Sequence, residues 1–359
     1  NHRGLHLPVI IGGAAINRSF GRRALFLDTG EPYYPGVFYA KDAFEGLHIL
    51  DQYMNQDTRD ELIERIRAEA TVTLQPESPP APAAPQEPGA RSTVATDAPI
   101  PTPPFWGHRA LQDLDLREVF PLLDLRTLFR LHWGGSKKHG AEFDQLVRDE
   151  FEPTLARLEE QVLREGTFDP KIVYGYYPCS SDGNDLIVYD PAVPERELAR
   201  FHFPRQPDRE RLCLADYFRP AGLPDRDVVA FQVVTVGQRV FDVIERLQRE
   251  DRYADMAYLN GLAFSTTEAL AEYAHRRILT ELGLPLTQGR RYSWGYPACP
   301  DLSDQATLFR VMPVEREIGV TLTESFHLVP EGTTAALVVH HPQAKYFSVR
   351  QGGTGDAEP

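Results

Sequence analysis

Two carboxylates and an imidazole recur at helical spacing in TEALAEYAHRR, residues 267–277. Glu268, Glu272 and His275 occupy positions i, i+4 and i+7, which lie along one face of an α-helix. Such a stripe could bind a cation, a ligand amine or a metal ion. It could equally be the solvated face of a charged helix, because two arginines follow it directly. The sequence leaves both interpretations open.

Two further charged residues, one negative and one positive, could form a binding site together with this stripe. Asp124 lies in the largely apolar segment FPLLDLRTLFRLHW, where a carboxylate is costly without a partner. It therefore either caps a helix or binds a cationic group. Arg291 is the candidate anion-binding residue, because a planar guanidinium matches a carboxylate in a bidentate manner. With the two glutamates of the stripe, this pair could bind a zwitterion.

The segment GYPACP, which begins four residues after Arg291, predicts a stiff loop that presents a tyrosine. Pro297 and Pro300 fix their own φ angles and bias the residues before them toward extended geometry. Gly295 allows a sharp bend just before Tyr296, and we expect unpaired backbone groups in the loop. A ligand-lining loop and a purely structural turn both fit this pattern.

A pair of E-x-x-H motifs raises a different possibility. EYAH (272–275) and ESFH (324–327) have the spacing used by carboxylate-bridged di-iron sites in helix bundles. That site requires both motifs on helices and two further glutamates. The second motif lies between VTLT and a predicted hairpin, so its context disfavours an iron protein.

Composition excludes several classes of protein. The 359 residues carry 38 basic and 52 acidic side chains, and the net charge of -14 argues against nonspecific nucleic-acid binding. No apolar run reaches the roughly 18 residues that span a membrane. The three cysteines are far apart and show no metal-binding spacing, which favours a reducing compartment. We therefore expect a cytoplasmic protein.

The elements that precede these residues suggest an incomplete first domain. LPVIIGG (7–13) and GVFYA (36–40) are typical of buried parallel strands, and the residues after the second have helical spacing. This order predicts the C-terminal part of a Rossmann-like α/β domain over residues 1–54, followed by a connecting helix over 55–74.

A linker and a second domain are predicted downstream. Residues 75–105 are proline-rich, with almost no large apolar side chains, and should form an extended linker. Residues 106–351 mix helices and strands irregularly, which predicts an α+β domain with long helices and an antiparallel sheet, and 352–359 form a tail. Within this domain we expect a helix over 142–166 with a glycine stop, strands at 185–190 and 228–236, a long helix from Phe241 to about Leu282 broken near Asn260–Gly261, and a hairpin over 334–351.

Several of these segments resemble one known family. RYSWGYPACPDLSDQ, LLDLRTLF, GGSKKHG, EALAEYAH, LTESFHLVPEGTTAALV and HHPQAKYFSV are similar to the C-terminal activation domain of cobalamin-dependent methionine synthases. Residues 1–54 are similar to the last part of that family's cobalamin-binding domain, through LPVIIGGAA and VFYAKDA. The proline-rich segment lies where the family has its interdomain linker.

The resemblance implies that the long domain binds S-adenosylmethionine. In the family, inactive cob(II)alamin is reduced by one electron and methylated from this donor, so that homocysteine can again be methylated to methionine. Arg291 would bind the donor's carboxylate, and Asp124 and Glu268 its positive groups. Backbone near Ser293 would contact the donor, and Tyr296 would act as the catalytic residue that holds it toward the corrin. Tyr346 and Phe347 match paired aromatic residues of the family that also contact the donor.

For cobalamin (as methylcobalamin), the resemblance implies a weaker site. Gly12, Gly13 and Ala43 match cobalamin-contacting positions, but the family's D-x-H-x-x-G motif is absent. We expect that motif, with the histidine that ligates cobalt, upstream of residue 1, and zinc only in upstream domains. No metal ligand is therefore expected within this chain, which should bind cobalamin poorly.

The resemblance also implies partners and leaves an alternative. The cobalamin domain and flavodoxin, or another one-electron reductant, would be the partners, with no nucleic acid or membrane involved. Two departures concern the donor site: Leu302 replaces a histidine of some members, and the chain between His275 and Arg291 is shorter. A module that senses S-adenosylmethionine without methyl transfer remains the alternative function.

Overall fold

The structure is a computed structural model that describes residues 7–12, 21–22, 24–27, 31–40, 43–74, 91–207 and 210–349. The chain divides into two compact units, Asn1–Ala90 and Arg91–Pro359. In the described residues, no helix combines the length and apolar character needed to cross a membrane.

The first unit contains a parallel strand pair followed by two helices. Strands β1 (Val9–Gly12) and β2 (Val37–Ala40) pair in register, and helices α1 (Ala43–Met54) and α2 (Gln56–Leu74) follow. Their small core includes Phe38 and Leu62. These elements lie where apolar runs and helical periodicity predict them, but the prediction that the first strand is buried is wrong, because Val9 and Ile10 of β1 are exposed.

The second unit is built on a mixed-length antiparallel sheet of seven strands in the order β6-β5-β4-β7-β11-β8, with β3 paired to β4. A separate two-stranded sheet pairs β9 with β10. The strands are β3 (Gly107–Leu111), β4 (Lys171–Asp182), β5 (Asp185–Tyr189), β6 (Glu197–His202), β7 (Asp227–Thr235), β8 (Arg290–Ser293), β9 (Thr321–Leu322), β10 (Leu328–Val329) and β11 (Thr333–Val339).

Helices of the second unit complete an α+β architecture, as predicted. The α-helices are α3 (Leu116–Val119), α4 (Leu125–Thr127), α5 (Gly140–Leu146), α6 (Glu152–Glu165), α7 (Arg239–Arg249), α8 (Tyr253–Glu281), α9 (Asp304–Val311) and α10 (Val314–Ile318). Shorter 3-10 turns lie at Phe120–Leu122, Gly135–Lys137 and Leu214–Tyr217, and π-helical turns lie at Leu128–His132 and Val147–Phe151. The second π-turn divides the single helix expected over 142–166, whereas the predicted glycine stop is confirmed at Gly166, whose φ is 60°.

Both faces of the sheet are buried, so its central strand, β7, has a largely apolar sequence. All nine residues of β7 are buried. Val228 and Ala230 pack into the core that includes α8, whereas Val229 and Phe231 pack into the core on the opposite face. This alternation follows from the two-residue period of a strand.

The longest helix, α8, is fixed near both of its ends. A Cβ added at Gly261 would come within 2.8 Å of the Trp133 ring, so only glycine permits this close approach. Twenty residues further on, the Glu281 carboxylate accepts hydrogen bonds from the Tyr174 and Tyr176 hydroxyls of β4, both at 2.9 Å. The helix break predicted at Asn260–Gly261 is therefore wrong. The break lies between α7 and α8, where Asp251 has a φ of 57°.

The hairpin predicted over 334–351 does not form in the described residues. Strand β11 ends at Val339, and the chain from residue 340 to 349 is irregular. Side chains from other parts of the unit bond to its backbone: the Tyr292 hydroxyl donates to the Lys345 carbonyl at 2.7 Å, and the Gln206 amide donates to the Ser348 carbonyl at 2.8 Å. These contacts replace the pairing that a second strand would supply.

The second unit begins inside the segment predicted to be a linker. The division falls at Arg91, whereas the sequence predicts a linker as far as 105. Arg91 donates to the carbonyls of Asp216 and Phe218, both at 2.8 Å, and lies 3.5 Å from the fully buried Asp216 carboxylate. Arg205 pairs with the same carboxylate at 2.5 Å. Arg91 thus ties this end of the segment to the buried Asp216 of the domain.

Replacing Asp216 should destabilise the second unit. D216A would leave two guanidinium groups without their buried counter-ion, and breaking such a pair costs about 3–5 kcal/mol. Urea unfolding followed by circular dichroism would measure the loss of unfolding free energy. The control is D182A, whose carboxylate pairs with Arg200 at the exposed surface and should change the midpoint little. Equal midpoints for the two variants would contradict this role for Asp216.

Candidate functional site

Arg291 joins the edge strand β8 to helix α8 through two carboxylates. Its guanidinium lies 3.2 Å from the Glu268 carboxylate and 3.8 Å from that of Glu272. The arginine side chain is only 19% exposed, whereas that of Glu268 is 63% exposed. The structure therefore brings together the predicted arginine and the carboxylate stripe, whose first residue, Glu268, lies 23 positions before Arg291 in sequence.

Strand register places Arg291 where it can reach the helix. β8 pairs with β11 so that Arg291 lies opposite Val338, whose side chain belongs to the core that includes α8. Its neighbour Tyr292 packs into the opposite core. A one-residue slip would exchange these two faces, so the pairing with β11 determines which side chain enters the site.

His275 is a buried neutral member of the stripe. Burial lowers its pKa from the ordinary value of 6.5 to about 4, and the Glu272 carboxylate opposes this shift. Its Nδ1 atom and the Nη1 atom of Arg291 are both buried without a hydrogen-bond partner among the described residues. Unpaired polar atoms in a folded interior are costly, so a polar ligand or an ordered water that bonded to them would stabilise the site.

The GYPACP segment forms a tight turn that exposes its tyrosine. Gly295 has a φ of 89°, and Tyr296 is 57% exposed, so the predicted bend and the predicted presentation are confirmed. Some of the backbone groups that the sequence predicted to be unpaired are paired within the turn. The Cys299 N–H donates to the Tyr296 carbonyl at 3.0 Å, and the Gly295 N–H donates to the Cys299 carbonyl at 2.9 Å. These bonds stabilise the turn without a ligand.

Electrostatic contacts place Tyr296 in the same neighbourhood as the ion pair. Loss of surrounding water raises the pKa of its phenol, the Glu268 carboxylate adds to this shift, and Arg291 opposes it. Tyr346 also raises it, so this side chain faces the same region. The phenol therefore stays protonated at neutral pH.

The other predicted aromatic residues border the turn from a second segment. Tyr346 is exposed and makes an edge contact with Tyr292, with ring centroids 5.5 Å apart. Phe347 packs against the second core, 6.4 Å from Tyr292. The Ser293 carbonyl accepts from the Cys299 thiol at 2.9 Å and from the Tyr296 N–H at 3.4 Å. Backbone near Ser293 thus supports the turn that carries Tyr296.

Asp124 is a helix cap in this structure. The Thr127 hydroxyl and N–H donate to its carboxylate at 2.6 and 3.1 Å, and these bonds lower its pKa. The residue is exposed. Arg291 forms its ion pairs with Glu268 and Glu272, and Asp124 is not among its partners in the described residues.

The segment after Asp124 contributes a residue that sequence reasoning missed. The His132 ring stacks on Phe264 of α8 at a centroid distance of 6.5 Å. Loss of surrounding water lowers its pKa, and the Glu268 carboxylate opposes that shift, which places the imidazole beside the stripe. Its one sequence signal was a histidine within a largely apolar segment.

The candidate cobalamin residues lie in the first unit. Gly12 ends β1, and a Cβ there would lie 2.5 Å from the Ala40 carbonyl, so the strand pair itself requires this glycine. Ala43 is the first residue of α1. Gly13 lies outside the described residues.

The second E-x-x-H motif is not helical. ESFH lies on the turn between β9 and β10, where Phe326 has a φ of 63°. In the part of the chain that the structure describes, no group of three or more His, Cys, Asp or Glu side chains could hold a metal ion. The geometry that a di-iron site needs is therefore missing at this motif.

Comparison with known proteins identifies the family. Residues 115–357 match the family described as vitamin B12 dependent methionine synthase, activation domain. The chain belongs to this family. The family's activation domain covers all of the site residues described in the second unit, from Asp124 to Phe347.

Two curated relatives extend the similarity over nearly the whole chain. A methionine synthase of Mycobacterium tuberculosis is 37% identical over 402 residues, covering 97% of this chain and 33% of the relative. A methionine synthase of Mycobacterium leprae is 35% identical over 396 residues, covering 97% and 32%. The chain therefore spans about a third of the length of these relatives.

A solved structure shares the fold. The crystal structure of the MetH reactivation domain bound to AdoHcy superposes with a TM-score of 0.62 at 24% identity, covering 70% of this chain and 84% of that chain. This likeness supports the α+β fold of the second unit.

The buried imidazole makes stability depend on pH. Because the folded state resists protonation of His275 until about pH 4, the unfolded state takes up the proton first as pH falls through 6.5. The unfolding free energy should therefore fall between about pH 6.5 and 4. H275Q removes this titration and should flatten the curve, as measured by urea unfolding at each pH.

The control for this prediction is H139Q, at an exposed histidine, which should keep the wild-type slope. If H275Q and the wild-type chain lose stability in parallel over this range, His275 is not the buried neutral group described above.

Proposed function

We propose that the second unit binds S-adenosylmethionine and presents its methyl group for reductive methylation of cobalamin within a methionine synthase. The observation that carries this proposal is Arg291, a largely buried guanidinium between two carboxylates whose Nη1 atom has no hydrogen bond among the described residues. Membership of the activation-domain family supports it. So does the AdoHcy bound to the structural neighbour, since this molecule is the demethylated form of the donor.

The charges of the site match the amino-acid end of the donor. Arg291 would bind the α-carboxylate through a two-bond fork. Glu268 would leave the guanidinium and turn to the ammonium, at small cost, because an exposed ion pair contributes little stability. Asp124, whose hydrogen bonds with Thr127 favour the ionised carboxylate, would add negative charge for the ammonium or sulfonium.

The aromatic residues would position the rest of the donor. Tyr296, the proposed catalytic residue, and Tyr346 expose their rings beside the ion pair, and Phe347 lies next to the latter. Backbone near Ser293 would accept or donate hydrogen bonds at the base of the turn. Their contribution is mainly orientation, which makes an encounter between methyl group and acceptor intramolecular. The protonated phenol of Tyr296 can donate a hydrogen bond without adding charge.

The acceptor and the electron would come from other parts of the enzyme. Bound cobalamin would supply the reduced cobalt that takes the methyl group. We propose that the first unit is the end of a Rossmann-like cobalamin-binding domain, with Gly13 and Ala43 near the cofactor. Gly12 is explained by strand pairing alone, so no cobalt chemistry is assigned to it.

The partners of this reaction follow from the same proposal. Flavodoxin or another one-electron reductant would supply the electron, and homocysteine would be methylated elsewhere in the enzyme, where zinc is expected. We place the activity in the cytoplasm, since Cys179, Cys213 and Cys299 are all free and buried, as a reducing compartment allows.

A methylation assay separates this function from donor sensing alone. Reduced cobalamin, or a separately supplied cobalamin domain, would be mixed with the chain and S-adenosylmethionine carrying a labelled methyl group. Transfer of label to cobalt above the rate without protein supports the proposal. Binding of the donor without transfer would leave a sensing module.

Replacing Arg291 should weaken donor binding. R291A removes a charged hydrogen-bond partner, which is worth about 1.5–3 kcal/mol, so the Kd measured by isothermal titration calorimetry should rise by about 10- to 150-fold. The matched control is R290A, one residue earlier on β8. Arg290 donates to the Thr287 and Gly289 carbonyls, so its loss should leave Kd nearly unchanged. Equal affinity of R291A and wild type would contradict the assignment.

A further inference from the structure

We propose that His341 and Gln343 are positioning residues that clasp the backbone of Ala95 and thereby hold the donor-binding aromatic segment in place. The clasp consists of these three residues. The inference rests on the proposed function, because it assigns Tyr346 and Phe347 to the donor site.

The clasp engages both backbone groups of Ala95. The Ala95 N–H donates to the Gln343 side-chain oxygen at 2.9 Å, and the His341 Nε2 atom lies 3.0 Å from the Ala95 carbonyl. The Gln343 N–H donates to the His341 Nδ1 atom at 3.1 Å. Since a carbonyl can only accept, Nε2 must carry the proton and Nδ1 must be bare. The imidazole is therefore neutral, with Nε2 bonded to Ala95 and Nδ1 bonded to the backbone of Gln343.

Burial keeps the His341 imidazole neutral. His341 is 2% exposed, and burial lowers its pKa, with the bond to the Ala95 carbonyl opposing the shift. Its ring also contacts Tyr217 at a centroid distance of 5.8 Å, and Tyr217 in turn lies 6.5 Å from Phe347. The imidazole thus connects Ala95 to the aromatic segment by packing as well as by hydrogen bonds.

The segment that carries Ala95 is itself anchored on both sides of the clasp. Upstream, Arg91 donates to the Ser181 hydroxyl at 3.0 Å and lies beside the buried Asp216 carboxylate. Downstream, the Arg219 guanidinium donates to the Ala98 carbonyl at 3.3 Å. Val94 packs against the second core. Residues 91–98 therefore form a fixed strap on the domain surface.

The clasp compensates for the missing strand partner of residues 340–349. Without a β-ladder, this segment depends on single bonds from side chains, including those to the Lys345 and Ser348 carbonyls. The strap adds bonds at His341 and Gln343, near the start of the segment.

The first experiment uses the reciprocity of coupled binding equilibria. If the clasp positions the donor segment, saturating S-adenosylhomocysteine should slow hydrogen exchange at the Ala95 amide in the whole chain, measured by exchange mass spectrometry with fragmentation. The amide of Gln112, whose side chain bonds the remote Glu317 carbonyl, provides the reference. Unchanged exchange at Ala95 in a chain that binds the ligand would overturn the proposal.

The second experiment removes the clasp at its exposed side. Q343M deletes the acceptor for the Ala95 N–H, and Q343E keeps an oxygen there. Loss of the bond and of the order that it imposes should raise the Kd for S-adenosylhomocysteine about tenfold in Q343M, with Q343E within about threefold of wild type. Q112M is the matched control and should bind as wild type. Equal affinities of Q343M and Q112M would overturn the proposal.

The imidazole is tested by H341L against H341Q, because glutamine can still place an N–H near the position of Nε2. H341Q should bind the ligand more tightly than H341L at equal thermal midpoint. If H341L does not fold, the glutamine variants and the exchange measurement still decide the question. If a folded H341L binds the ligand as tightly as H341Q or more tightly, the proposed positioning role of the His341 imidazole is wrong.

Failure of the proposed function gives a different result. A wild-type chain that binds neither S-adenosylmethionine nor its demethylated product refutes donor binding. The clasp is then judged without ligand: Q343M should exchange amides 344–348 faster than Q112M does, and equal exchange would overturn it.

Discussion

The ion pair between Arg291 and the two glutamates of α8 is the interaction on which the candidate site depends. It fixes a guanidinium at the edge of the sheet, where the arginine side chain is only 19% exposed, and leaves the Nη1 atom without a hydrogen bond among the described residues. Its geometry requires the observed register of β8 against β11 and the observed position of α8 against β4. A shift of either strand or of the helix would separate Arg291 from the two carboxylates.

Local patterns predicted most elements and the charged part of the site. Helical spacing identified Glu268, Glu272 and His275 as one face, and the chemistry of a guanidinium identified Arg291 as their complement. Gly295 and the prolines predicted the turn that exposes Tyr296. Each of these predictions depends on a few neighbouring residues, whose types alone restrict φ angles, charge and periodicity.

Tertiary packing decided what the sequence could not predict. Gly261 suggests a helix break by propensity, yet its close contact with Trp133 explains why a glycine remains inside α8. The apolar run of β11 suggests a hairpin, yet residues 340–349 bond to Ala95, Tyr292 and Gln206 instead of a strand. The contact of His132 with Phe264 also depends on which helix lies opposite, whereas the cap role of Asp124 is a local bond with Thr127.

The anchoring of α8 at Gly261 and Glu281 has a consequence for turnover. Because contacts at Gly261 and Glu281 hold α8 in place, the helix does not rotate when the ligand changes. Glu268 and Glu272 therefore present the same charges before and after the methyl group leaves. Both forms of the proposed donor carry the same amino-acid tail, and the rigid wall recognises that tail. The spent molecule should consequently compete with fresh donor, and the loss of the sulfonium charge, rather than a change of shape, would drive its departure.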